Sequence, residues 1–254
     1  MRRQRRTLQR SAVAAALAFL LGTVGLTGGA VWAAAPQYTT QFDLDECTFS
    51  STGRNAHFSI RPGDKLVLEG EDDGELVQVQ ITVLNQTKKI TFTDAEGESL
   101  TVNARVVEER EWKDGALVEV SRNFHARCVQ TSDIVYFGEE VDIYEDGVIV
   151  SHDGAWLAGQ DGALPGLIMP GRFLLGSRYF QEIAPDVALD RAEHVEMGLT
   201  VETPAGTFED CVEVVETSPL EPGATSVKRY CAEIGLVMDG AIKLVDFDIA
   251  GADD

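Results

Sequence analysis

The sequence predicts an all-β protein: an antiparallel meander forming a curved sheet, sandwich or incomplete barrel, with little helix after an N-terminal leader. Three observations lead there. Runs alternating apolar and polar residues recur along the chain, the clearest being Leu76-Val77-Gln78-Val79-Gln80-Ile81-Thr82-Val83-Leu84. A period of two marks a half-buried strand. Four Asp-Gly pairs (Asp73-Gly74, Asp114-Gly115, Asp146-Gly147 and Asp239-Gly240) each sit between two such runs. Asp-Gly accepts the positive φ values of a tight hairpin turn. After the leader no stretch carries a helical period for more than one or two turns, Pro185 to Glu196 being the best of them.

Residues 1–35 read as a secretory signal peptide. Arg2, Arg3, Arg5, Arg6 and Arg10 form a basic head, and Ala12 to Leu26 an apolar core. Val31-Trp32-Ala33 and Ala33-Ala34-Ala35 offer small-residue cleavage sites. The first is preferred because Pro36 follows the second. No later apolar run approaches the ~20 residues that cross a bilayer as a helix, so no stable membrane span is expected after cleavage. The expectation is an exported protein: periplasmic, envelope-associated or extracellular.

Residues 36–254 then read as one β-rich domain, with strand-rich parts 36–150 and 183–254 joined by a Gly/Pro-rich segment, 151–182. Pro36 to Asn55 is polar and reads as a loop or short edge strand. Ile60-Arg61-Pro62-Gly63-Asp64 is a turn that launches a strand over Lys65 to Glu69. Strands follow at Leu76 to Leu84, Asn103 to Trp112, Ala116 to Arg122, Val141 to Tyr144 and Val148 to Val150. In the C-terminal part they are expected at Gly206 to Glu216, Ser226 to Cys231, Leu236 to Met238 and Ala241 to Val245. The joining segment is greasy yet broken by Pro165-Gly166 and Pro170-Gly171. It reads as too interrupted for a strand, and therefore as a plug packed on the sheet or as the wall of a pocket.

Several runs carry a resemblance: Tyr136-Phe137-Gly138-Glu139-Glu140-Val141-Asp142-Ile143-Tyr144, Val150-Ser151-His152-Asp153-Gly154-Ala155-Trp156, the Pro-Gly-rich segment, and Thr203-Pro204-Ala205-Gly206-Thr207-Phe208. Over roughly residues 62–245 the chain resembles a widespread family of predicted exported bacterial β-rich proteins of unestablished function. The resemblance implies export and a β-rich fold. It brings no catalytic residues with it.

Four cysteines follow the leader: Cys47, Cys128, Cys211 and Cys231. An even count in an exported chain points to disulfides. Cys211 and Cys231 are equidistant in sequence from Glu221, in the turn between two expected strands, so a simple hairpin opposes them. That leaves Cys47 to pair with Cys128. No C-x-x-C knuckle occurs and the four histidines are scattered, so neither metal nor cofactor is expected.

The formal net charge is −21, and the leader takes five arginines and no acid with it, so the remainder is more acidic still. Such a surface repels phosphate backbones, which argues against nucleic acid. It suits a basic protein surface as partner. No G-x-S-x-G elbow or glycine-rich phosphate loop occurs. His152 beside Asp153 is the most enzyme-like pair, but neighbours on a strand face opposite ways. Glu109 and Glu111 share a strand face, as a glycosidase pair would, yet the simpler reading is the solvated face of a sheet. No catalytic residue is assigned. Trp156, Met169, Phe173, Tyr179 and Phe180 cluster near the Pro-Gly turns and are the candidate ligand-lining residues.

The expected function is therefore an exported non-catalytic binding or carrier protein for an apolar or lipid-like small molecule. An envelope interaction module with an acidic surface is the alternative. A carboxylate-dependent hydrolase comes third.

Overall fold

A computed structural model describes residues 37–94 and 97–249, and the leader expected at 1–35 lies outside the described residues. From Gln37 onward the chain forms one compact unit. It contains sixteen strands and, among the described residues, no helix. In chain order they are β1 (Phe49–Ser50), β2 (Lys65–Asp72), β3 (Glu75–Thr93), β4 (Ser99–Lys113), β5 (Ala116–Cys128), β6 (Ile134–Glu145), β7 (Val148–Ser151) and β8 (Trp156–Leu157). There follow β9 (Leu164–Met169), β10 (Arg178–Phe180), β11 (Glu182–Ile183), β12 (Arg191–Thr203), β13 (Gly206–Thr217), β14 (Ser226–Cys231), β15 (Gly235–Asp239) and β16 (Ile242–Asp248).

The four Asp-Gly pairs all fall at turns between strands. At Asp73-Gly74, Asp114-Gly115 and Asp146-Gly147 both residues have positive φ, as a tight primed turn requires. At Asp239-Gly240 only the glycine does. A fifth such turn, Asp161-Gly162, has φ values of 49° and 80° and connects β8 to β9.

The strands join antiparallel in the order β10-β12-β13-β14-β15-β16-β2-β3-β4-β5-β6-β9-β11. The two ends of this path, β10 and β11, are separated in the chain by Gln181 alone. The sheet thus begins and ends in one short stretch and curls into a nearly closed barrel. Closure removes most of the exposed edge that an open sheet would leave. At the seam the Gln181 backbone N–H donates to the Asp190 carbonyl (2.8 Å), and its side-chain amide donates to Glu216 (2.8 Å). Gly166 faces this seam, where a Cβ would lie 2.3 Å from the Gln181 carbonyl oxygen, so only glycine fits.

Bulges shape the wall. One between Val83 and Thr87 breaks the β3–β4 ladder. The Arg105 guanidinium donates to the carbonyls of Leu84 (3.2 Å) and Gln86 (3.3 Å) there, and to that of Ser51 (2.7 Å), supplying donors the ladder lacks. Another irregularity in β5–β6 lies at Gly138, whose φ is 135°. A Cβ there would sit 2.5 Å from the Trp156 carbonyl, so glycine lets β8 approach β6.

The disulfides pair Cys47 with Cys128 and Cys211 with Cys231. The second links directly opposed residues of β13 and β14. The first anchors the N-terminal segment, where β1 pairs β5.

One local expectation is corrected. The Gly/Pro-rich segment is not too broken for a strand: Leu164–Met169 pairs with β6, and Pro165 and Leu164 pair with β11. Its apolar side chains reward pairing more than its glycines penalise it. Pro185 to Glu196, allowed one or two helical turns at most, holds a single hydrogen-bonded turn from Ala184 to Ala188 and no helix. It makes an Ala184–Ala188 bridge and then enters β12, paired with β13. Cross-strand partners outweigh a weak helical pattern.

Candidate functional site

Three apolar clusters fill most of the interior. The largest includes Phe124, Phe137, Trp156 and Met169, and a second gathers Leu68, Val79, Val237 and Leu244. A small third one holds Ile60, Val83, Val107 and Ile134. They leave a cavity of about 180 Å³ between the strands. Its apolar wall includes Phe58, Leu66, Ile81, Val83, Val107 and Ile168. Its polar end is made by Glu109, Asn123, His125, Tyr136, Glu182 and Lys228.

The pleat explains this grouping. Val107 and Glu109 are two apart on β4, Asn123 and His125 on β5, and Lys228 and Tyr230 on β14, so each pair shares a face. The irregularity at Gly138 brings Glu139 close to Tyr136 although they are three apart. Inward-facing positions that would be apolar in a filled barrel carry acids here.

Glu109 shows the consequence. Burial pushes its carboxyl up to about 7, opposed by Lys228 and reinforced by Asp239, Glu119 and Glu111. The solvated-face reading of Glu109 and Glu111 is thereby corrected for Glu109: barrel closure turns that face inward. Burial also raises Glu139, to about 8, and Glu182, and Glu139 adds to the rise at Glu182. Glu182 accepts the Trp156 indole N–H at 2.6 Å, which opposes part of its shift. The Tyr136 hydroxyl donates to Asn123 at 2.5 Å.

Lys228 is the cation of this group. Burial disfavours its charge, but Glu216 (2.9 Å) and Asp239 (3.6 Å) outweigh that and hold its pKa well above the usual lysine value. His125 is the complement. Burial drives it down to about 3, so it is neutral, and its Nδ1 has no hydrogen-bond partner among the described residues. A buried polar atom left without a partner costs stability.

The structure distributes the five candidate lining residues differently. Trp156 lines a second cavity, of about 310 Å³, with Phe124, Glu139 and the Lys88–Glu140 ion pair. Met169 is fully buried in the largest apolar cluster. Phe173 stacks on His194 at 3.8 Å, and Tyr179 bonds the same imidazole at 2.9 Å. Phe180 packs edge-on against Tyr38. A third hollow, of about 520 Å³, lies between Gln130–Asp133 and Pro170–Arg172 and is walled mainly by turns. His152 stands on the surface and meets Asp142 (3.0 Å) and the Val141 carbonyl (2.7 Å) rather than Asp153.

Sequence reasoning missed Glu139, Glu182, Lys228 and His125. Each lies in or beside a strand with alternating character, but only closure of the barrel decides which face is inside. No family model, curated protein or solved structure matches this chain. Two disulfides fit an oxidising environment. Among the described residues no helix is long and apolar enough to cross a membrane.

Proposed function

We propose that this is an exported, non-catalytic binding protein that holds a small apolar or amphiphilic molecule inside its barrel. One observation carries the reading: a cavity with an apolar wall and one polar end lies among well-packed clusters. Filled barrels pack such space with side chains. A few placed polar groups in an otherwise apolar hollow are the usual composition of a ligand site. The volume favours a short-chain or single-ring molecule over a full lipid chain, since an apolar cavity of about 150 Å³ accommodates benzene. Export is supported by the basic-headed apolar leader and the paired cysteines.

Native mass spectrometry of the protein purified from its own host tests this. The expected result is an adduct of a few hundred daltons or less that is lost on unfolding. Bare protein mass in every preparation, together with no uptake of 1-hexanol, overturns it.

A further inference from the structure

The cavity's charge is unbalanced in a way that specifies the ligand's polar end. Its ionisable lining residues are Asp64, Lys65, Glu109, Glu182 and Lys228. Asp64 and Lys228 already have ion-pair partners. Asp64 accepts from Ser59 (2.5 Å) and pairs with Arg61 (3.4 Å). Lys228 is shared by Glu216 and Asp239, whereas Lys65, opposite Asp248 in the β2–β16 register, makes no ion pair among the described residues. Of the acids, Glu109 and Glu182 remain. No ion pair reaches either among the described residues, and Glu182 has only the Trp156 indole as donor. Neither acid has a direct ion pair, and Lys228 eases the ionisation of Glu109 only in part, so both carboxyls are costly to ionise among apolar walls.

A second, independent feature points the same way. The His125 imidazole is 3 % exposed and lines the same cavity, and its Nδ1 has no hydrogen-bond partner among the described residues. A neutral imidazole offers one lone pair as acceptor. Two carboxyls and an imidazole acceptor in one cavity match a group rich in N–H donors and carrying positive charge.

Resting on the binding reading above, we propose that the ligand is a small primary amine, its ammonium held by Glu109 and Glu182 within reach of His125 and its apolar body lying along Ile81, Val83 and Val107. Hydrogen bonds from an ammonium to carboxylates are of the strong, charge-assisted kind. A ligand ending in carboxylate or phosphate brings no N–H donor to these acceptors and no positive charge to favour their ionisation, which supplies selectivity.

Isothermal titration of the protein with hexylammonium chloride, 1-hexanol and sodium hexanoate, three probes with one chain length, tests this. The result expected is hexylammonium binding about ten-fold or more tighter than hexanol, with hexanoate weakest. In the Glu109→Gln, Glu182→Gln double variant the preference falls to within about three-fold while hexanol affinity is kept. Glu109→Gln alone serves, with a partial loss, if the double variant does not fold. Equal binding of hexanol by the native protein, or an undiminished preference in the variant, overturns the amine assignment but leaves a binding cavity standing. Failure of all three probes to bind overturns both.

Discussion

The Trp156 indole donates to Glu182 Oε2 at 2.6 Å, joining β8 to the seam where the barrel closes. It is the hydrogen bond that the structure offers this half-buried carboxyl from a side chain, and it joins a residue lining one cavity to a residue lining another. Trp156→Phe keeps most of the ring volume and removes the donor. A loss of about 1–3 kcal/mol is expected from the unsatisfied group and reduced packing. Denaturant unfolding of Trp156→Phe, set against Glu182→Gln, checks it; a variant as stable as the native protein would show that the bond contributes nothing.

Glu109 makes stability depend on pH. Its folded pKa, about 7, lies above the unfolded value of 4.5. The folded state therefore holds a proton that the unfolded state releases, and stability falls as pH rises from about 4.5 to about 7. The groups facing it are Lys228, Asp239, Glu119, Glu111, Tyr136 and Tyr230. Glu109→Gln removes this dependence. Relative to native protein the variant should gain on the order of 2–3 kcal/mol between pH 4.5 and pH 8. Parallel melting curves at the two pH values, with a constant difference, would contradict the burial of this acid.

The histidines act oppositely. His125 and His194 are depressed to about 3 and about 4, both chiefly by burial. Each stays neutral in the fold while the unfolded chain takes up protons below about 6.5. Stability from these two groups is present above that value and is lost as pH falls towards 4 and then 3. His125→Gln should flatten the acid limb of a stability profile without altering the limb above pH 7. A native-like acid limb in that variant would count against a neutral His125.

Gly166 and Gly115 separate two kinds of glycine requirement. A Cβ at Gly166 meets the Gln181 carbonyl at 2.3 Å, whereas at Gly115, with φ at 80°, it meets nothing within 4 Å. Gly115→Ala should cost about 1 kcal/mol through backbone strain alone. Gly166→Ala should cost clearly more, about 3 kcal/mol or above, because the seam must open. Hydrogen exchange localises the effect: faster exchange is expected around residues 164–183. Equal costs for the two substitutions would remove the seam's special status.

The two disulfides close loops of different length, with sequence separations of 81 and 20. Chain entropy assigns about 4–5 kcal/mol to Cys47–Cys128 and about 3 kcal/mol to Cys211–Cys231. Replacing each pair by alanine and comparing unfolding free energies checks the order.

Much of the fold was legible in the residues. Asp73-Gly74, Asp114-Gly115 and Asp146-Gly147 mark their turns because few other pairs tolerate two positive φ values. Cys211 and Cys231 disclosed their own register through equal spacing from Glu221. Asp161-Gly162 carried the same signal and could have revealed the β8–β9 turn. The site was not legible, because an alternating strand does not say which of its faces is inside. Glu109 reads as solvated in an open sheet and becomes half-buried, facing the pocket, once Phe180-Gln181-Glu182 joins the sheet's two ends. Leu164–Met169 hid for another reason: Gly166, a breaker in isolation, is required where the seam passes close.

The central claim is that the interior cavity, rather than the acidic exterior, receives the ligand. Methyl NMR of the protein titrated with hexylammonium measures this directly. Saturable shifts are expected at the methyls of Ile81, Val83, Val107 and Ile168, with the exposed methyls of Val148 and Val150 unmoved. Shifts confined to exposed methyls, or none at saturating probe, would contradict it.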